Sequence, residues 1–346
     1  MATKITHIFK ETDGLELKAD IYISSSDAHR REYNRAQPVV LYFHGGGFVD
    51  SDREDIPPHI VQLCLMRGWI LVSTDYRKLP QISGAEMWED ARDAFLFVRE
   101  RLPGILTGRS SGAKFENVIC LGRSAGGLIF QLLNGQHVDE ETGAYLSYLC
   151  GHNMDPKPIG ILTYYGITSM SDTFFNSNVQ LGPSPIGWER VKSFYSESTT
   201  LGSTSPSKKF DPDCLLPDLS RNPAWKSPEP EQELPPRIAL VPWLLQENQF
   251  PELMSEVDWD LEDGSWKEFP PTILVHGDKD SVAPYELSVR LVEAIGQPPA
   301  KLFTAVGQDH AFDESFFFGD PGLSVIEEAW ITLGEAVKAK LKDDLS

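Results

Sequence analysis

Ser124 stands in Gly122-Arg123-Ser124-Ala125-Gly126-Gly127, between the apolar run Val118–Leu121 and a second apolar stretch, Leu128–Leu133. Glycine serves where backbone must turn sharply or pass close to other backbone. A serine held at such a turn has its hydroxyl pushed out of the chain. A second stretch, Phe43-His44-Gly45-Gly46-Gly47-Phe48, follows the apolar run Pro38–Phe43. Its glycines leave backbone N–H groups unshielded, and donors held at a rigid strand end can stabilise a developing oxyanion. A phosphate loop would continue with Lys-Ser/Thr or a G-x-G-x-x-G helix start, and neither follows. Two further fragments, His276-Gly277-Asp278-Lys279-Asp280 and Gly307-Gln308-Asp309-His310-Ala311-Phe312, each come after a short apolar run. Alone, each has a plain structural reading as a turn former or a core histidine. In the order Ser, Asp, His they describe nucleophilic acyl chemistry.

The elements that would position these residues are short apolar strands alternating with helices. Residues 5–24 read as two strands joined at Asp13-Gly14. Pro38–Phe43, Trp69–Thr74, Val118–Leu121, Ile159–Tyr164, Thr272–Val275 and Leu302–Ala305 read as buried strands. Glu86–Arg101, Tyr285–Ile295 and Ser324–Leu341 carry one apolar face each, and Leu128–Leu133 reads as a helix start. Such alternation predicts an α/β fold, a mostly parallel sheet covered by helices on both faces. Each candidate fragment then falls just beyond the C-terminal end of a strand, where open α/β sheets place their sites.

From Gly166 to Lys267 the rhythm stops. This stretch is rich in proline, serine and large aromatics, among them Phe175, Trp188, Tyr195, Trp243, Phe250 and Trp266. It is too long for a plain loop. The expected organisation is a core of residues 1–165 and 268–346 with a mostly helical cap, 166–267, inserted over Ser124. Within it, Ser227–Pro236 reads as an extended crossing.

The chain has 346 residues and a formal charge of −20, a field that repels phosphate backbones and anionic lipid. Nucleic-acid and membrane partners are therefore not expected, and a homodimer is left open. Cys64, Cys120, Cys150 and Cys214 are scattered without C-x-x-C spacing, which argues against a metal or redox site. The start, MATKITHIFKETDG, has no apolar core of signal-peptide type, and no run reaches transmembrane length. A cytoplasmic, reduced setting is the expectation, with no cofactor.

The motifs together resemble an α/β-hydrolase of the hormone-sensitive-lipase-like esterase type. The match rests on His44-Gly45-Gly46-Gly47-Phe48, on Asp75-Tyr76-Arg77-Lys78-Leu79-Pro80 (similar to that family's D-Y-R-L-A-P), and on the G-x-S-A-G-G at 122–127. The G-x-x-D at 277–280 and the G-x-x-H-x-F at 307–312 extend it, so that it covers residues 38–166 and 270–340. The resemblance implies Ser124 as nucleophile, His310 as general base and Asp280 as its orienter. It implies oxyanion donors at the N–H groups of Gly46, Gly47 and Ala125. Asp278 and Asp309 are the rival acids. The glycines at 122, 126 and 127 would let strand, turn and helix crowd together behind Ser124.

Two departures stand out. The family carries its cap largely at the N-terminus, whereas here the long irregular segment is internal. The residue before the nucleophile is commonly acidic, and here it is Arg123, expected to brace the neighbouring helix or else to face the pocket.

Three functions follow for testing. The first is a serine hydrolase of carboxylic esters of hydrophobic or aromatic small molecules. The second uses the same acyl-serine to form lactones, release a thioester-bound chain or transfer an acyl group. The third is a small-molecule receptor of the same fold without turnover.

Overall fold

A computed structural model describes residues 2–24, 37–107, 113–123, 143–204, 209–226, 236–257, 265–296 and 298–343. Eight strands form one sheet in the order β1-β2-β4-β3-β5-β6-β7-β8. They are β1 (Ala2–Thr12), β2 (Leu15–Ser24), β3 (Gln37–Phe43), β4 (Ile70–Thr74), β5 (Ala113–Arg123), β6 (Gly160–Tyr164), β7 (Thr272–Gly277) and β8 (Ala300–Ala305). The first two pair antiparallel across Asp13-Gly14, whose φ values of 50° and 79° give the left-handed turn that a two-residue hairpin needs. From β4 to β8 every pairing is parallel.

Eight α-helices accompany the strands among the described residues: α1 (Pro58–Met66), α2 (Gly84–Leu96), α3 (Gly143–Asn153), α4 (Trp188–Tyr195), α5 (Leu240–Gln246), α6 (Phe250–Met254), α7 (Tyr285–Ile295) and α8 (Ser324–Asp343). A π turn (Phe97–Arg101) and a short helical turn (Leu102–Ile105) prolong α2. The start of α2 is fixed locally. Ser83 Oγ accepts from the Glu86 N–H while the Glu86 carboxylate accepts from the Ser83 N–H.

Alternation along the strands divides the core into two layers. In β3, Val39, Leu41 and Phe43 face α2, α3 and α7, while Val40 and Tyr42 face α1 and α8. Residues 166–267 contribute to both layers. Phe175, Leu240, Leu244 and Phe250 join the first, and Phe210, Leu215 and Leu219 join the second. Arg237 is one of several ties between this segment and the core: its guanidinium donates to the carbonyls of Val49 (2.7 Å) and Leu79 (3.0 Å) and pairs with Glu197. The expected helix start at Leu128 and most of the Ser227–Pro236 crossing lie outside the described residues.

Candidate active site

The sheet brings the sequence fragments to one edge. Phe43 pairs with Gly122, so the chain leaves β3 and β5 side by side, and Gly277 pairs with Ala305, so the turns after β7 and β8 are likewise adjacent. Ser124, Ala125, Gly126 and Gly127 lie outside the described residues; β5 ends at Arg123, immediately before Ser124.

The turn after β3 needs its glycines. Gly46 and Gly47 have φ of +100° and +59°, and a Cβ on Gly46 would stand 2.1 Å from the Asp50 carbonyl oxygen. The Gly46 carbonyl points inward and accepts from the N–H groups of Val49 (3.0 Å) and Asp50 (2.8 Å). Both glycines are buried, yet among the described residues neither N–H has an acceptor. Buried N–H groups are rarely left so unless something else uses them.

His310 and Asp280 meet across the β7 and β8 turns, His310 Nδ1 donating to Asp280 Oδ2 at 2.5 Å. The other carboxylate oxygen accepts from the N–H groups of Val282 (2.9 Å) and Ala283 (2.8 Å). A second histidine, His276, brings Nε2 to 3.1 Å from Asp280 Oδ2. Burial by itself raises the Asp280 pKa. The charge of His310 and the hydrogen bonds from His276 and His310 outweigh it and hold the carboxyl well below its ordinary 3.8. With Nδ1 committed to Asp280, His310 keeps the Nε2 lone pair to receive a proton. The rival acids are used elsewhere. Asp278 accepts from the Gly307 N–H (2.6 Å), and Asp309 accepts from the N–H and hydroxyl of Ser281, each at 2.8 Å. Both hold the two turns together.

A family model described as alpha/beta hydrolase fold matches residues 40–179. An α/β-hydrolase superfamily protein from Enterococcus faecalis superposes with a TM-score of 0.61, at 18% identity, over 96% of this chain and 99% of that one. The chain has the α/β-hydrolase fold. Esterase 2 of Thermogutta terrifontis, in a structure phosphoramylated by tabun, superposes with a TM-score of 0.52, at 16% identity, over 96% of this chain and 94% of that one. In sequence, a non-reducing polyketide synthase of Stereocaulon alpinum is 27% identical over 329 residues, which is 88% of this chain and 12% of the synthase. The chain spans only 6–15% of the length of the curated synthases that it matches.

The site has supporting residues that its motifs alone do not reveal. Arg123 is fully buried and turned beneath the edge: Nε and Nη2 donate to the Tyr165 hydroxyl at 3.0 and 2.6 Å, and Nη2 lies 3.6 Å from Asp313. The Tyr165 ring packs 4.7 Å from His310, its hydroxyl donates to Asp313, and His59 Nε2 approaches the same carboxylate at 3.2 Å. Arg123 is thus a brace, and what it braces is the histidine turn. Nothing in the spacing of these residues could have shown that they converge.

The protein also holds a buried lysine behind the glycine turn. Lys78 Nζ lies 2.9 Å from His44 Nε2, and His44 Nδ1 donates to the Gly45 carbonyl at 2.6 Å. The Tyr76 ring stacks on His44 at 4.3 Å, and its hydroxyl donates to the carbonyls of His44 and Gly45, both at 2.9 Å. Burial pushes the Lys78 ammonium down to about 7, against the pull of Asp75, Asp52 and Asp50. The available signal was Lys78 in Asp75-Tyr76-Arg77-Lys78-Leu79-Pro80, a charged residue where the resembling family has leucine.

Proposed function

We propose that the protein is a serine hydrolase acting through an acyl-serine intermediate on the ester or thioester of a hydrophobic or aromatic acyl group. The observation that carries this reading is His310, held through Nδ1 by a fully satisfied Asp280 at the strand-end edge beyond which Ser124 follows β5. Ser124 Oγ attacks the acyl carbon while His310 Nε2 takes its proton. The carbonyl oxygen becomes an oxyanion that the Gly46, Gly47 and Ala125 N–H groups stabilise. As the tetrahedral intermediate collapses, His310 returns the proton to the departing alkoxide or thiolate. Water then attacks the acyl-serine with His310 as base, releasing the acid and restoring Ser124. The likeness to the Thermogutta esterase, which takes up an organophosphorus group from tabun, supports the esterase form.

A second acceptor has its own support. The sequence relatives are non-reducing polyketide synthases, which favours an acyl group delivered as a thioester and released to water, to an internal hydroxyl as a lactone, or to another alcohol. The four described cysteines are free and buried, which suits a reducing, cytoplasmic setting. No helix among the described residues is long and apolar enough to cross a membrane.

The test pairs p-nitrophenyl esters of rising acyl length with aryl N-acetylcysteamine thioesters, with and without a competing alcohol, for the wild type and Ser124→Ala. Turnover that Ser124→Ala abolishes in a folded protein supports the acyl-serine. Turnover that survives Ser124→Ala overturns it. A folded wild type with neither turnover nor labelling by a serine-directed phosphonate leaves the receptor reading. Ester products made at the expense of acid when alcohol is added select the transfer reading over hydrolysis.

A further inference from the structure

The first turn of α3 is gripped at the end of the central strands. A Cβ on Gly143 would stand 1.6 Å from the Phe43 carbonyl oxygen and 2.9 Å from that of His44. A Cβ on Gly122 would stand 1.9 Å from the Gly143 carbonyl oxygen and 2.5 Å from the Ala144 nitrogen. A Cβ on Gly166, just past β6, would stand 2.1 Å from Ala144 Cβ. The start of α3 therefore touches the ends of β3, β5 and β6 at once, at distances that only glycine permits. Every residue from Gly143 to Gly151 is buried, so α3 covers this end of the sheet.

A strand-to-helix turn that presents a serine needs a small residue at its far side, where the helix crosses back over the strand it has just left. The G-x-S-x-G spacing gives that place to Gly126. In the fold, the backbone directly against Gly122 is that of Gly143-Ala144, packed as closely as a helix start at that place would be. Removing residues 126–142 would make the chain read Gly122-Arg123-Ser124-Ala125-Gly143-Ala144-Tyr145-Leu146, with the same glycine spacing restored.

We propose that Gly143, and not Gly126, is the positioning residue that closes the turn carrying Ser124, and that residues 126–142 are an insertion between the two halves of that turn. The proposal rests on Ser124 being the nucleophile and adds which helix supports it. α3 is the helix whose first turn backs the serine, and the insertion separates Ser124 from it along the chain. A nucleophile displaced by about 1 Å loses about 10²-fold in rate, so joining the halves acts on reactivity as well as on stability.

The experiment compares the full chain with a variant lacking 126–142, by Tm and by the rate of Ser124 labelling with a fluorophosphonate. The proposal expects the shortened chain to fold with Tm no lower than the full chain and to label at least about tenfold faster. A shortened chain that folds but labels no faster, or more slowly, overturns it. Should the shortened chain fail to fold, Gly126→Val with Gly127→Val in the full chain decides. If Gly143 closes the turn, that pair leaves Tm unchanged while Gly143→Val lowers it by many degrees. A collapse of Tm with the Gly126 and Gly127 pair overturns the assignment. If the Tm pattern holds and neither form labels, the turn assignment stands and the acyl-serine reading falls.

Discussion

At the scale of the residue, the decisive group is Asp280. Its two oxygens accept from two histidines and two backbone N–H groups, whereas Asp278 and Asp309 spend theirs on turn backbone. Asp280→Asn is expected to cost about 10³–10⁴ in kcat, because the amide no longer fixes the His310 tautomer. Asp278→Asn should cost far less, and kcat on a short p-nitrophenyl ester measures both. The opposite ranking would move the acid role to Asp278. Lys78 acts one step further out. Lys78→Met keeps the buried stem and removes the donor to His44 Nε2. Its expected cost is about tenfold in kcat with KM unchanged, less than the loss of an oxyanion donor itself. A rise in KM alone would mean that Lys78 shapes the substrate pocket instead.

At the scale of the element, residues 166–267 reach the glycine turn through α6. The Phe250 ring lies 6.2 Å from that of Phe48 and 6.4 Å from that of Phe175, so these rings join the segment to the residue that follows the three glycines. Trp188, Tyr195 and Trp243 instead pack on one another at 5.1–5.5 Å and form a small core of α4 and α5. Phe250→Leu, which keeps most of the buried volume, is therefore expected to shift the ratio of kcat/KM between long and acetyl esters. Trp188→Ala should leave that ratio in place. The check is a p-nitrophenyl ester series, and an equal loss across all acyl lengths for Phe250→Leu would mean that α6 supports the fold without meeting substrate.

At the scale of the whole molecule, two buried carboxylates make stability depend on acid. Burial would raise the Asp313 pKa, but Arg123, His59 and the Tyr165 hydroxyl outweigh it, and Asp313, like Asp280, is held well below 3.8. A depressed carboxylate contributes stability that is fully present above its unfolded pKa and is lost as pH falls through the folded one. Tm should therefore be flat on this account above about pH 4 and fall steeply below it. Asp313→Asn should lower Tm at pH 7 and flatten the acid slope. A slope as steep in the variant as in the wild type would show that other carboxylates dominate.

Much of this architecture was legible in the sequence because it is written in local pattern. The hairpin at Asp13-Gly14, the buried strands and the amphipathic α7 and α8 follow from turn chemistry and periodicity, and the observed bounds of α7 are those expected from sequence. Outside residues 166–267 the pattern missed α1 and α3, which are buried on nearly every side and so carry no apolar stripe against a polar one. Strand-end placement drew attention to both fragments, and the family resemblance pointed to His310 and Asp280, with Asp278 and Asp309 as rival acids. Tertiary structure alone decided that His276 shares the Asp280 carboxylate, that Arg123 reaches Asp313 across 190 positions of the sequence, and that Gly143 lies against Gly122. Those contacts join residues from different strand ends, and only the register of the closed sheet sets their distance.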